Sequence, residues 1–150
     1  MKVLAVCLGN ICRSPLAEGI LDHKNREYGL NWEVDSAGTA AYHVGEQPDP
    51  RSIQTAGKYG INIRNQRARQ FKSVDFSRFD KILVMDRSNY RNVLSMARTD
   101  EDRNKVDLIL NYTNPGADEE VPDPYWDDNG FEHVYHLLDE ATEAFIKENS

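Results

Sequence analysis

The sequence predicts an α/β fold, a single domain across residues 1–150 with a four-stranded parallel sheet and helices on both faces. Three observations predict it. Short apolar runs with β-branched residues alternate with longer stretches of helical periodicity, as in strands joined by crossover helices. The length of 150 residues and the 39% hydrophobic content suit one well-buried core. The first apolar run ends in a loop that leads into a helix, the place where open parallel sheets bind their ligands.

Lys2–Cys7 (KVLAVC) reads as a strand buried on both faces. After the loop Leu8–Ser14, a helix is expected over Pro15–Tyr28. Ser14 would be its N-cap, Pro15 its first helical residue and Gly29 its stop. Its inward stripe is Ala17, Ile20, Leu21 and the stem of Lys24. Trp32–Asp35 is the second strand, closed by a Ser36-Ala37-Gly38 turn, and Thr39–Asp49 is a polar loop. A helix over Pro50–Tyr59 stops at Gly60. Lys81–Met85 is the third strand, and Arg87–Ala97 a helix with Tyr90, Val93, Leu94 and Ala97 inward. Val106–Leu110 is the fourth strand. Asn111–Gly130 is a long loop holding three of the six prolines. Glu132–Glu148 closes the chain as a helix on Val134, Leu137, Leu138, Ala141 and Phe145.

The net charge of -7 repels a phosphate backbone, so no nucleic-acid partner is expected. A single anion is a different matter, because N–H groups and one Arg at contact distance outweigh a diffuse field. The early apolar run Val3–Val6 is too short for a signal peptide or a membrane span, and no lipidation motif appears. Cys7 and Cys12 are the only cysteines, which excludes a disulfide framework. A cytoplasmic monomer with no membrane partner is expected.

The chemistry concentrates in Cys7-Leu8-Gly9-Asn10-Ile11-Cys12-Arg13-Ser14. A short loop that folds back before a helix aims successive N–H groups inward, a nest for an oxyanion. Gly9 and Asn10 are residue types that tolerate the positive φ such loops need. Arg13 supplies a planar fork for two phosphate oxygens. Cys7 would lie in line behind phosphorus, where a positive environment favours the reactive thiolate.

CLGNICRS also matches the C-x5-R-[ST] loop of cysteine-dependent phosphatases, and its position resembles specifically the low-molecular-weight protein tyrosine phosphatases. The resemblance runs on through Ser14-Pro15-Leu16-Ala17-Glu18, Val34-Asp35-Ser36-Ala37-Gly38 and Asp49-Pro50-Arg51. It continues in Arg67-Ala68-Arg69-Gln70, Met85-Asp86 and Val121-Pro122-Asp123-Pro124-Tyr125. It implies hydrolysis of protein phosphotyrosine through a phosphocysteine on Cys7, with Asp123 as general acid and then base. It implies that Ser14 bonds the Cys7 thiolate, that Asn10 shapes the loop, and that Tyr42, Tyr125 and Trp126 wall the cleft for an aromatic ring. It implies no metal and no organic cofactor. Gln66 stands where mammalian members often carry a His, so the network behind the loop differs. Trp126 replaces a common second Tyr, and Tyr42 stands where some members have Trp.

Other readings of these residues remain. Cys12 is either a structural thiol or, as the family suggests, the partner that captures oxidised Cys7. Asp123 before Pro124 also suits a plain turn. Asp86 and Arg69 are read as supports of the loop. His133 and His136 have metal-like spacing but no third ligand, and His43 carries no signal. Arsenate reduction on the same fold is the nearest rival function. The thioredoxin-coupled form of that chemistry needs later cysteines, and none follows Cys12. A non-catalytic phosphotyrosine-binding module is the rival of another class.

Overall fold

The computed structural model describes residues 1–150. Its strands are β1 (Lys2–Cys7), β2 (Glu33–Gly38), β3 (Lys81–Val84) and β4 (Val106–Leu108). The helices are α1 (Arg13–Tyr28), α2 (Pro50–Lys58), α3 (Asp75–Arg78), α4 (Arg87–Leu94), α5 (Asp100–Asn104) and α6 (Gly130–Asn149). All strand pairs are parallel, in the order β2-β1-β3-β4. The α/β fold expected from the alternating pattern is the observed one.

β1 lies inside the sheet, and its side chains alternate between two cores, as the period of a strand requires. Val3, Ala5 and Cys7 face a larger cluster that holds Leu16, Ile20 and Leu21 of α1 with Val134, Leu138 and Phe145 of α6. Leu4 and Val6 face a smaller one with Phe71, Phe76, Ile82, Val84 and Val93. Each fully buried aliphatic side chain there contributes about 1.5–3 kcal/mol. Lys24 behaves as its stripe position predicts. Its stem is buried and its Nζ donates to the Asp139 carbonyl at 2.7 Å, with the Asp139 carboxylate at 3.0 Å.

The chain leaves β1 for β2 on one side and later returns to β3 on the other. The carboxyl end of β1 is therefore the switch point of the sheet, and the loop 8–12 sits there.

Several boundaries differ from expectation. α1 begins at Arg13 with Cys12 in the N-cap position and no side-chain cap, so Ser14 is inside the first turn and not the cap. Its hydroxyl is engaged elsewhere, as the site shows. Ser36-Ala37-Gly38 is not a turn but the end of β2, because Gly38 pairs with Cys7 and also bridges Gln70. β4 stops at Leu108, and Ile109–Tyr112 tightens into a 3-10 turn. The short helices α3 and α5 have too few residues to show a periodic stripe. Only the Thr99 N-cap with Asp100, Glu101 and Asp102 in the first turn of α5 left a readable signal.

Candidate active site

The loop after β1 turns its carbonyls outward. The Cys7 and Leu8 carbonyls accept from the N–H groups of Thr39 and Ala40, both at 2.9 Å. The Ile11 carbonyl accepts from Asp49 N–H at 2.8 Å, and the Cys12 carbonyl from Ser52 Oγ at 3.1 Å. A loop held by its carbonyls from outside presents its N–H groups to the inside. No acidic side chain occupies the first turn of α1, so its positive end is left to an external anion.

Asn10 takes a left-handed φ of 59° and is 3% exposed. Gly9, also expected to supply a positive φ, does not adopt one. Space explains it better, since a Cβ there would lie 3.1 Å from His43 Cδ2. Asn10 is pinned on every side. Its Nδ2 donates to Ser14 Oγ at 2.8 Å and to Ser36 Oγ at 3.0 Å, and its Oδ1 accepts from Arg69 N–H at 3.0 Å. Ser14 Oγ lies 3.1 Å from Cys7 Sγ. That oxygen accepts from Asn10, and its own hydrogen has two acceptors in reach, the sulfur and the Ala37 carbonyl at 3.5 Å.

Arg13 is nearly buried. Its Nη1 donates to Asp86 Oδ2 at 2.7 Å and to the Val121 carbonyl at 3.0 Å, while Nη2 lies 3.9 Å from Asp123 Oδ2. Burial works against its charge, but Cys7, Asp86 and Asp123 outweigh burial and hold its pKa above the ordinary value. Asp86 also caps α4, accepting from Asn89 N–H at 2.8 Å through its other oxygen. The same carboxylate thus starts a helix and orients the guanidinium. Burial also pushes the Cys12 thiol up, and the charges of Asp49 and Cys7 add to it.

Behind the loop, Ser36 Oγ donates to Glu18 Oε1 at 2.6 Å, extending the chain of bonds from Cys7 through Ser14, Asn10 and Ser36. Burial holds Glu18 up to about 7; the Ser36 bond opposes this, and Asp35 and Asp22 add to it. Gln66 donates to the Pro15 carbonyl at 3.1 Å, but its Oε1 is buried without a partner.

A cleft of about 310 Å³ opens over the loop, lined by Cys7, Leu8, Gly9, Ile11, Cys12, Arg13, Tyr42, His43, Asp123, Tyr125 and Trp126. Cys7, Arg13, Asp123 and the three aromatic residues singled out in the sequence therefore meet in one place. Asn10 and Ser14 lie behind the wall. Asp123 does begin a turn, its Oδ1 accepting from Tyr125 N–H at 3.0 Å, and it faces the cleft as well. Sequence reasoning missed His43, whose Nδ1 lies 2.9 Å from Glu46 Oε2, and it missed Glu18 and Arg51. The quoted segments held Glu18 and Arg51, but only the folded chain gives them partners. His133 and His136 gain no third metal-ligating neighbour; His136 pairs with Glu132.

A parallel sheet with a cysteine, an arginine and a helix N-terminus around one anion-sized loop defines an α/β protein with a site suited to a phosphate group. The particular family follows from comparison. A family model described as low molecular weight phosphotyrosine protein phosphatase matches residues 2–149, and the chain belongs to that family. The low molecular weight phosphotyrosine protein phosphatase of Schizosaccharomyces pombe is 40% identical, with 98% of this chain and 96% of that one covered. Among solved structures, a protein tyrosine phosphatase from Entamoeba histolytica superposes with a TM-score of 0.92 at 36% identity, covering 99% of this chain and 96% of its own. An arginine phosphatase from Drosophila superposes at 0.93 and 37% identity, covering 100% and 98%.

Proposed function

We infer that this enzyme hydrolyses phosphotyrosine in proteins by two in-line steps at Cys7, with Asp123 as the proton donor and then acceptor. The observation that carries the reading is the convergence of Cys7, Arg13 and Asp123 on one apolar-walled cleft over the loop. In the first step the Cys7 thiolate attacks phosphorus. The S–P bond forms as the P–O bond breaks, and the electron pair leaves on the phenolate oxygen, which takes the Asp123 proton. In the second, water attacks the phosphocysteine, gives its proton to the Asp123 carboxylate and expels the thiolate. Loop N–H groups and the Arg13 fork stabilise the equatorial oxygens in both steps. The Ser14 hydroxyl supports the departing thiolate.

Tyr42, Tyr125 and Trp126, with Leu8 and Ile11, form walls suited to an aryl ring. An aromatic wall also accepts a guanidinium face-on, so phosphoarginine, the substrate class suggested by the Drosophila neighbour's name, is the natural control substrate. The reading is of a cytoplasmic monomer with no nucleic-acid partner. Two free cysteines and the net charge of -7 support it, and no helix is long and apolar enough to cross a membrane.

The test is leaving-group dependence. Asp123→Ala should lower turnover by roughly 10²–10⁴-fold, the range of a positioned acid. The penalty should be larger on phosphotyrosine than on p-nitrophenyl phosphate, whose better leaving group needs less protonation. Cys7→Ser should abolish turnover while retaining phosphate binding. If Asp127→Ala or Asp128→Ala carries the leaving-group effect and Asp123→Ala does not, the acid is misassigned. Retained turnover in Cys7→Ser would remove the mechanism altogether.

A further inference from the structure

Asp123 stands on a segment with few outside anchors. Apart from the 3.9 Å approach of Arg13 Nη2 to Asp123, the polar contacts of Pro122–Asp128 are local, Tyr125 N–H donating to Asp123, Asp127 N–H to the Pro124 carbonyl, and the Asn129 and Gly130 N–H groups to Asp127, with one exception. Arg51 Nη1 donates to Asp128 Oδ1 at 2.6 Å. The same guanidinium lies over the Tyr125 ring, 5.5 Å from its centroid, and over Phe131 at 4.6 Å.

At its other edge Arg51 is fastened to the start of α2. Its Nε and Nη2 donate to the two Asp49 carboxylate oxygens at 3.0 and 2.9 Å, and its N–H donates to Asp49 Oδ1 at 2.8 Å. That end of α2 is itself bonded to the phosphate loop, through Asp49 N–H to Ile11 and Ser52 Oγ to Cys12. One planar fork therefore spans from an element bonded to the loop to the segment that carries Asp123. A point charge could not hold both carboxylates in that plane.

We propose that Arg51 is a positioning residue that sets the reach of Asp123 to the leaving oxygen by tying the segment Pro122–Asp128 to the phosphate loop through α2. The proposal rests on the reading of Asp123 as the acid. A misplaced acid costs turnover in proportion to how much protonation the leaving group needs, while the phosphate cradle is untouched.

Arg51→Met keeps a stem over Phe131 and removes the fork. Asp128→Asn is the second variant; it leaves the Asp49 pair intact and changes an exposed side chain, so folding is not at risk. Both are assayed with p-nitrophenyl phosphate and phenyl phosphate, with inorganic phosphate as competitive inhibitor. For Arg51→Met, kcat on phenyl phosphate should fall on the order of 10-fold, with a smaller fall on p-nitrophenyl phosphate. The phosphate inhibition constant should stay within about twofold. Asp128→Asn should show the same pattern at smaller size. In the Asp123→Ala background, Arg51→Met should cost nothing further, since the two changes remove one function.

Equal losses on both substrates, or full additivity with Asp123→Ala, would overturn the positioning role. If Asp123→Ala shows the signature of a lost acid and Arg51→Met does not share it, the positioning role alone falls. If Asp123→Ala itself costs both substrates equally, the acid assignment falls and takes this proposal with it.

Discussion

At the bottom of the cleft Cys7 and Cys12 are both free and both buried, yet their surroundings differ. Cys7 sits beside the Ser14 hydroxyl and lines the cleft with Arg13. Cys12 is kept protonated by burial and by the negative charge of Asp49 and Cys7. A cleft-lining sulfur at Cys7 with a protonated thiol at Cys12 in the same loop suits attack by an oxidant on the first and capture of the product by the second. Peroxide should convert Cys7 to a sulfenic acid, and Cys12 should displace water from it to give a disulfide that added thiols reopen. Cys12→Ser should be active but lose activity irreversibly under the same peroxide, read by recovery after thiol treatment and by mass mapping. Treated wild type without a Cys7–Cys12 crosslink would make Cys12 a packing residue only.

In α1, packing overrides local preference at Gly19. Gly19 lies mid-helix, where Ala is favoured by about 0.8–1.0 kcal/mol. A Cβ there would approach Ile63 Cγ2 to 2.5 Å and Ile61 Cγ2 to 3.1 Å. Both isoleucines are buried and branched at Cβ, so neither moves aside cheaply. Overpacking costs about 1–3 kcal/mol, which exceeds the propensity gain. Gly19→Ala should therefore destabilise by about 1 kcal/mol in urea unfolding. Adding Ile63→Met, which removes the branch, should recover most of it. A Gly19→Ala protein more stable than wild type would mean that the Ile61–Asn62–Ile63 segment yields freely. The helix pattern was readable in the sequence, but the reason for a glycine within it was not, because its neighbours are more than 40 residues away in the chain.

Burial of Glu18 behind the loop makes the stability of the protein depend on pH. Glu18 is raised from the usual carboxyl range to about 7, chiefly by burial. Between the unfolded value and that raised one the folded state holds a proton that the unfolded chain has released. Stability then falls as pH rises through this window, and the cost is complete above it. Glu18→Gln carries no charge to desolvate. It should gain about 1–3 kcal/mol over wild type at pH 8, and the gain should shrink toward zero as pH falls below 5. Urea midpoints of both proteins across that range measure it. A difference that does not change with pH would mean Glu18 is not held protonated by the fold.

The parallel α/β class, the succession of the four strands and the phosphate-loop segment with Cys7 and Arg13 are legible in the amino-acid sequence alone. Those features are local, since a strand, a loop and a helix in succession carry their own periodicity and punctuation. The sequence also marked Asp123, Tyr42, Tyr125 and Trp126, through likeness to a known family rather than through any pattern of spacing. Tertiary structure decided that Ser36–Gly38 extends a strand, because pairing to Cys7 lies 31 positions away. The folded chain also shows that Ser14, expected from the resemblance to bond Cys7, is not the helix cap as well, that Asp86 bonds Arg13, and that Glu18, His43 and Arg51 belong to the site or its frame. Each of these is a contact between residues distant in sequence, whose geometry exists only after the sheet has brought four strand ends and their loops to one edge.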